Sequence, residues 1–173
     1  VIEQVLSSEL LYQANRRIVE NEHRRALAFL PYHHVFGFMA NLMWINFMGC
    51  SNIYLPNRTP QAIMDAAQQL KPDLLMAVPL LANNLSVSLQ KKVALEGKKK
   101  QAAFKFARSL SLLMQKVNPE FGMDFARKVL FKDVVAKLLG PDVRCVILGG
   151  SHTPEEHMRT ISALGYYTIS GFG

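Results

Sequence analysis

Cysteine is scarce: the 173 residues contain two, Cys50 and Cys145, both set in apolar sequence. That number excludes a disulfide framework and a zinc-ligand pair, and it fits a reducing, cytoplasmic compartment. Gly and Pro are few, at 10 and 8, while apolar residues reach 50%, which excludes disordered, collagenous and low-complexity chains. Long hydrophobic runs are also missing. The longest uncharged stretch, 26–57, is broken by Pro31, His33, His34, Asn41, Asn46 and Gly49, so neither a transmembrane helix nor a signal peptide is predicted. No Gly-x-Ser-x-Gly elbow, Walker loop, Cys-x-x-Cys or His-Glu-x-x-His occurs, leaving hydrolase and metalloenzyme chemistry without support. Acidic residues are the minority, 13 against 20 basic, for a net charge of +7. A basic chain suits an anionic partner such as a nucleotide, an acidic carrier protein or a phospholipid surface. Nucleic acid is disfavoured, because no recognition module accompanies the charge.

Present instead is a regular alternation of elements. Short β-like runs at 26–30, 52–55, 73–78, 144–148 and 166–170 are rich in the residues that suit buried strands. Helical periodicity marks 2–19, 35–49, 60–69, 79–95, 98–117, 121–139 and 154–163. The alternation predicts an α/β fold: a mostly parallel sheet flanked by helices in three layers, with a helix-rich insert before the fourth strand. Residues 1–173 contain no repeat or linker that would divide them, so one unit is expected. Thr59-Pro60 and Thr153-Pro154 each offer a capping hydroxyl before a proline at the first helical position, and Thr153 to Glu156 fits a capping box. Helical spacing starts almost at residue 1, and the last strand runs into Gly171-Phe172-Gly173. An internal piece of a larger protein is therefore expected, with an uncovered apolar strip that favours self-association.

Three segments carry candidate chemistry. Val146 to Glu156 reads as a buried strand, a Gly149-Gly150-Ser151 turn and a capped helix. Two glycines there allow a nucleotide to approach the backbone, or simply make a tight turn. Leu30-Pro31-Tyr32-His33-His34-Val35-Phe36 places paired imidazoles beside aromatics. Their adjacency lacks the three- or four-residue spacing of helical metal ligands, so one histidine facing a pocket is the better reading. The third segment is Lys91, Lys92, Lys98, Lys99, Lys100, Lys105 and Arg108, opposed by Glu96 alone. With Ala102, Ala103, Phe104, Phe106 and Ala107 interleaved it predicts an amphipathic helix, whose common role is a solvated face on a packed helix. Anionic lipid and an acidic carrier are the alternatives.

In this order, Leu30-Pro31-x-x-His34-Val35-Phe36, Val78-Pro79, Leu148-Gly149-Gly150-Ser151 before Pro154-Glu155, and Gly171-Phe172-Gly173, the chain resembles the adenylate-forming acyl-CoA synthetases, and within them the long-chain fatty acid ligases. The resemblance covers essentially the whole chain. It implies a middle portion of that family's large amino-terminal domain, with the phosphate loop before Val1 and a Thr-Glu pair, serving phosphate and magnesium, after Gly173. By the same resemblance Gly149, Gly150, Ser151, Gly171, Phe172 and Gly173 border the nucleotide, with Phe172 stacked on adenine. His34 lies beside the substrate carboxylate and Phe36 near the acyl tunnel. Met39 and Met43 continue that apolar lining along the same helix, where adaptable side chains suit a flexible chain. The implied substrates and cofactors are a fatty acid, ATP, Mg2+ and CoA, with acyl carrier protein as an alternative acceptor and a module that holds nucleotide or lipid without chemistry as the alternative to an enzyme. Lys91 to Arg108 would meet that carrier or an anionic membrane surface, placing a cytoplasmic enzyme peripherally at a membrane. Two departures stand out: Ser151-His152-Thr153 replaces Ala-Pro-Leu, and Leu80 replaces the Arg after Val-Pro.

Overall fold

The computed structural model describes residues 2–16 and 25–171. Five strands form one sheet: β1 (Arg25–Ala28), β2 (Ser51–Tyr54), β3 (Leu74–Ala77), β4 (Cys145–Leu148) and β5 (Tyr167–Ser170). Their spatial order is β2-β1-β3-β4-β5 and every neighbouring pair is parallel. The predicted α/β sheet is therefore present, and each strand falls within two residues of its sequence-based position. Central strands read as uninterrupted apolar runs because both of their faces are covered. Leu27, Leu75, Met76, Val146 and Leu148 are all buried.

Helices connect the strands. α1 is Ile2–Ala14 and α3 is Pro60–Leu70. Between β1 and β2 lies α2, residues 35–47, composed of Val35–Gly37, a π-helical stretch Phe38–Trp44, and Ile45–Phe47. The insert between β3 and β4 contains α4 (Pro79–Leu95), α5 (Lys98–Val117), α6 (Pro119–Phe125, continued by the π-helical Ala126–Leu130) and α7 (Lys132–Ala136). The predicted 121–139 helix is thus broken near Phe131, whose φ −122 and ψ 21 leave the helical region. Last comes α8, Glu155–Ala163. Residues 17–19 of the predicted first helix lie outside the described residues.

Right-handed crossovers put α2 on one face of the sheet and α3, the insert and α8 on the other, giving the expected three layers. Tyr12 of α1 and Trp44 of α2 meet edge-on at 6.3 Å on the first face. On the second, Ser111 Oγ donates to the Ala163 carbonyl at 2.7 Å, tying α5 to α8. Gln68 donates to the Leu138 carbonyl at 2.9 Å, tying α3 to the end of the insert.

Local chemistry explains most boundaries. Thr59 caps α3 by accepting from the Ala62 N–H at 3.3 Å, with Pro60 following. Thr153 does not cap α8, contrary to the sequence reading. Pro154 holds the cap position with no side-chain bond, and the Thr153 hydroxyl is buried without a partner among the described residues. The unpredicted cap belongs to Asn118, which accepts from the Phe121 N–H at 3.0 Å ahead of Pro119.

Candidate functional site

Open parallel sheets bind ligands beyond the carboxyl ends of their strands, at the point where the strand order reverses. Here that point lies between β1, whose crossover runs outward to β2, and β3, whose crossover runs toward β4. Three segments meet at this edge: the β1–α2 loop, the start of α4 and the β4–α8 turn.

The β1–α2 loop is wound tightly. The His34 N–H donates to the Pro31 carbonyl at 3.1 Å, and the Phe38 N–H donates to the His34 carbonyl at 2.9 Å. Gly37 permits this, since a Cβ there would stand 2.1 Å from the Pro31 oxygen. His34 occupies the N-cap of α2 with extended backbone, φ −94 and ψ 140, and its imidazole makes no capping bond. The ring is exposed at the sheet edge, 4.3 Å from the His33 ring. Tyr32 packs 5.8 Å from Tyr54 at the end of β2. Burial first, and then the neighbouring Tyr54, push the Tyr32 hydroxyl above its ordinary pKa.

At the β4–α8 turn the Gly149 N–H extends the ladder to the Ala77 carbonyl at 3.1 Å. Gly150 then takes φ +89, a left-handed conformation that a residue with a Cβ adopts at a cost. The Phe36 ring lies across Gly149, where a Cβ would stand 2.6 Å from the ring carbons. Phe36, expected near the acyl chain, and Gly149, expected at the adenine, therefore touch. Gly150, Ser151 and Gly171 are exposed beside them, and the Gly171 N–H donates to the Leu148 carbonyl at 2.7 Å. Phe172 and Gly173 lie outside the described residues.

Apolar side chains border this edge. Val35 and Phe38 at the start of α2 and Val78 and Leu80 at the start of α4 are exposed there and Met39 is half-buried, while Met43 and Phe47, also exposed, lie farther along α2 toward the amino end of β2. The sequence did not indicate that the middle of α2 is π-helical, with the Ile45 N–H reaching back to the Ala40 carbonyl. Such turns recur at functional sites because the extra residue re-aims side chains. Inside this one Asn41 is completely buried, and neither its Oδ1 nor its Nδ2 has a partner among the described residues. An unpaired buried amide costs roughly 1–3 kcal/mol. The one sequence signal was an amide in an otherwise apolar run.

Other reactive groups stand apart from the edge. Burial pushes the Cys145 thiol above its ordinary pKa, as for a cysteine that fills the core. A cavity of about 460 Å³ lined by Gln13, Asn15, Arg16, Asn118 and Glu120 lies toward the amino end of β5, where Tyr167 donates to Asn15 at 3.0 Å. No helix among the described residues is long and apolar enough to cross a membrane. Nor do the described residues gather three His, Cys, Asp or Glu side chains that would hold a metal ion. The magnesium implied by resemblance has no site built from them.

Solved structures share the fold. The N-terminal domain of FACL13 from Mycobacterium tuberculosis matches with a TM-score of 0.52 at 18% identity, over 93% of this chain and 30% of its own. A double mutant of o-succinylbenzoate CoA synthetase (MenE) from Bacillus subtilis, bound with its product analogue, matches with a TM-score of 0.52 at 13% identity, over 96% of this chain and 24% of its own. The chain thus spans under a third of either length. No curated protein matches. The family model described as AMP-binding enzyme aligns with residues 2–173, essentially the whole chain, and on that match the chain belongs to the AMP-binding enzymes.

Proposed function

We propose that the chain supplies the acyl-facing and adenine-facing walls of an ATP-dependent acid–thiol ligase acting on long-chain fatty acids with CoA. The contact of the Phe36 ring with Gly149 carries this reading. It joins the loop holding His34 to the turn holding Gly150 and Ser151, at the edge where a parallel sheet receives a nucleotide.

In the reaction a carboxylate oxygen attacks the α-phosphorus of ATP and the bond to pyrophosphate breaks. The thiol, losing its proton, then attacks the acyl carbonyl and AMP departs. No covalent bond to the enzyme is needed, so the work of these residues is positioning. His34 donates a hydrogen bond that orients the carboxylate. Phe36 separates acyl chain from adenine, and Gly150 and Ser151 offer backbone to the base. Met39 and Met43 line the path of the chain, where each buried methylene contributes up to about 0.8 kcal/mol.

Pyrophosphate release by the full-length natural protein, measured from acetate to stearate, tests the proposal. Specificity is expected to climb with chain length, and His34→Ala to lower turnover equally at every length. A preference for acetate or for aromatic acids would overturn the long-chain assignment.

A further inference from the structure

α5 is packed with its polar side inward. Ser111 and Gln115 are buried and bonded to α8: Ser111 Oγ donates to the Ala163 carbonyl at 2.7 Å and Gln115 Nε2 to the Ser162 carbonyl at 2.9 Å. Among the aromatics Phe104 turns in, 5.4 Å from Phe131. The opposite side of the helix carries Phe106, Leu113 and Val117, spaced seven and four residues apart and therefore on one face. They are 71%, 60% and 83% exposed. The sequence reading set Ala102, Ala103, Phe104, Phe106 and Ala107 against a solvated basic face; in the structure Phe104 packs inward, whereas Phe106 faces outward with the lysines.

The charge of this face has one sign. α5 holds 20 residues and no Asp or Glu. Lys98, Lys99, Lys105 and Lys116 are exposed on it, whereas Lys100 is paired with Glu96 at 2.7 Å. A helix about 30 Å long with an outward apolar stripe and unopposed lysines beside it has the make-up of an interfacial helix. Leu95, exposed just before it, extends the apolar surface toward Lys91 and Lys92.

We infer that the outward face of α5 docks on an anionic phospholipid surface, with Phe106, Leu113 and Val117 entering the headgroup–acyl boundary and the lysines meeting lipid phosphates. Charge complementarity selects this occupant: a neutral apolar partner would leave four cations desolvated. The inference does not rest on the proposed reaction, because binding is read without ATP or acid.

The test is co-sedimentation of the full-length natural protein with vesicles of phosphatidylcholine, with and without one-third phosphatidylglycerol. Binding is expected to the anionic vesicles and to weaken with salt. Lys98→Glu, Lys105→Glu and Lys116→Glu are each expected to lower partitioning by about fivefold or more. Phe106→Ser with Leu113→Ser should lower it at least tenfold, with the circular dichroism unchanged because both side chains are exposed. Absence of binding to anionic vesicles would overturn the inference, as would equal binding by these variants. Retention on an acidic carrier protein without vesicle binding would overturn it in favour of a protein partner.

Discussion

The seam between α5 and α8 and the connections that follow β1 and β4 treat buried polar groups in opposite ways. In the seam, Ser111 and Gln115 of α5 bond to each other and to α8, whose Ser162 hydroxyl donates back to Gln115 at 3.2 Å. Elsewhere in the insert the buried Arg127 is paired with Asp124 and donates to the Val143 carbonyl at 3.4 Å, while its Nε and the Ser86 hydroxyl have no partner among the described residues. In the connections, the Asn41 side-chain amide of α2 and the Thr153 hydroxyl are buried without partners among the described residues, and His34 makes no cap bond. Satisfied networks rigidify and specify packing, while unsatisfied groups mark places where something other than the fold set the residue. The α5–α8 seam is scaffold, whereas the connections after β1 and β4 leave polar groups without a partner among the described residues.

The sharpest way to break this contrast is to give each region one extra methyl. Gly165, at φ +98, holds the end of α8 against the insert, and a Cβ would stand 2.3 Å from the Met123 oxygen and 2.9 Å from the Arg127 nitrogen. Gly165→Ala is expected to cost about 4 kcal/mol in urea unfolding of the full-length protein. Gly150→Ala, whose nearest neighbour would be a Phe36 carbon at 3.9 Å, is expected to cost about 1 kcal/mol, its conformational penalty alone. Equal costs would remove the distinction.

Next in size is Asp124→Asn, expected to cost about 2 kcal/mol because it takes the carboxylate from the buried Arg127 guanidinium. Burial acts to raise the Asp124 carboxyl, but the hydrogen bond from Lys128 and the charge of Arg127 outweigh it and hold the group below its ordinary pKa. A depressed carboxyl stabilises fully above the unfolded-state value and loses that contribution as pH falls through the folded one. The variant is therefore expected to flatten the acid side of the stability profile. An acid limb as steep as the parent's would assign it to other groups.

A smaller pair of effects should differ in sign. Gln115→Ala breaks buried bonds and is expected to cost about 1.5 kcal/mol, whereas Asn41→Leu removes an unpartnered amide and is expected to gain about 1 kcal/mol. The gain should come with slower turnover, as at sites where stability is traded for function. Thermal unfolding and pyrophosphate release on the same samples check both. A destabilised Asn41→Leu with normal turnover would make Asn41 an ordinary core residue.

The elements were legible in the sequence because their punctuation is local. Apolar runs bounded by Pro and Gly give the strands, and Thr59-Pro60 starts α3 as a capping hydroxyl and proline predict. Features that depend on distant partners were not legible. Periodicity shows that α5 has two faces without saying which turns inward, so Phe104 and Phe106 looked alike until the Ser111 bonds fixed the rotation. The π-helical stretch of α2 preserves an apolar pattern that an α-helix would share. The contact of Phe36 with Gly149 joins loops after two different strands, and only the parallel order brings them together.

That contact is the centre of the account, and one variant tests it. Phe36→Leu in the full-length protein uncovers Gly149 while keeping the loop apolar, and the measurement is the apparent KM for ATP and for a long-chain acid side by side. If the ring divides acyl chain from nucleotide, both constants change together, while His34→Ala lowers turnover and leaves the KM for ATP in place. A Phe36→Leu protein with both constants unchanged would contradict it.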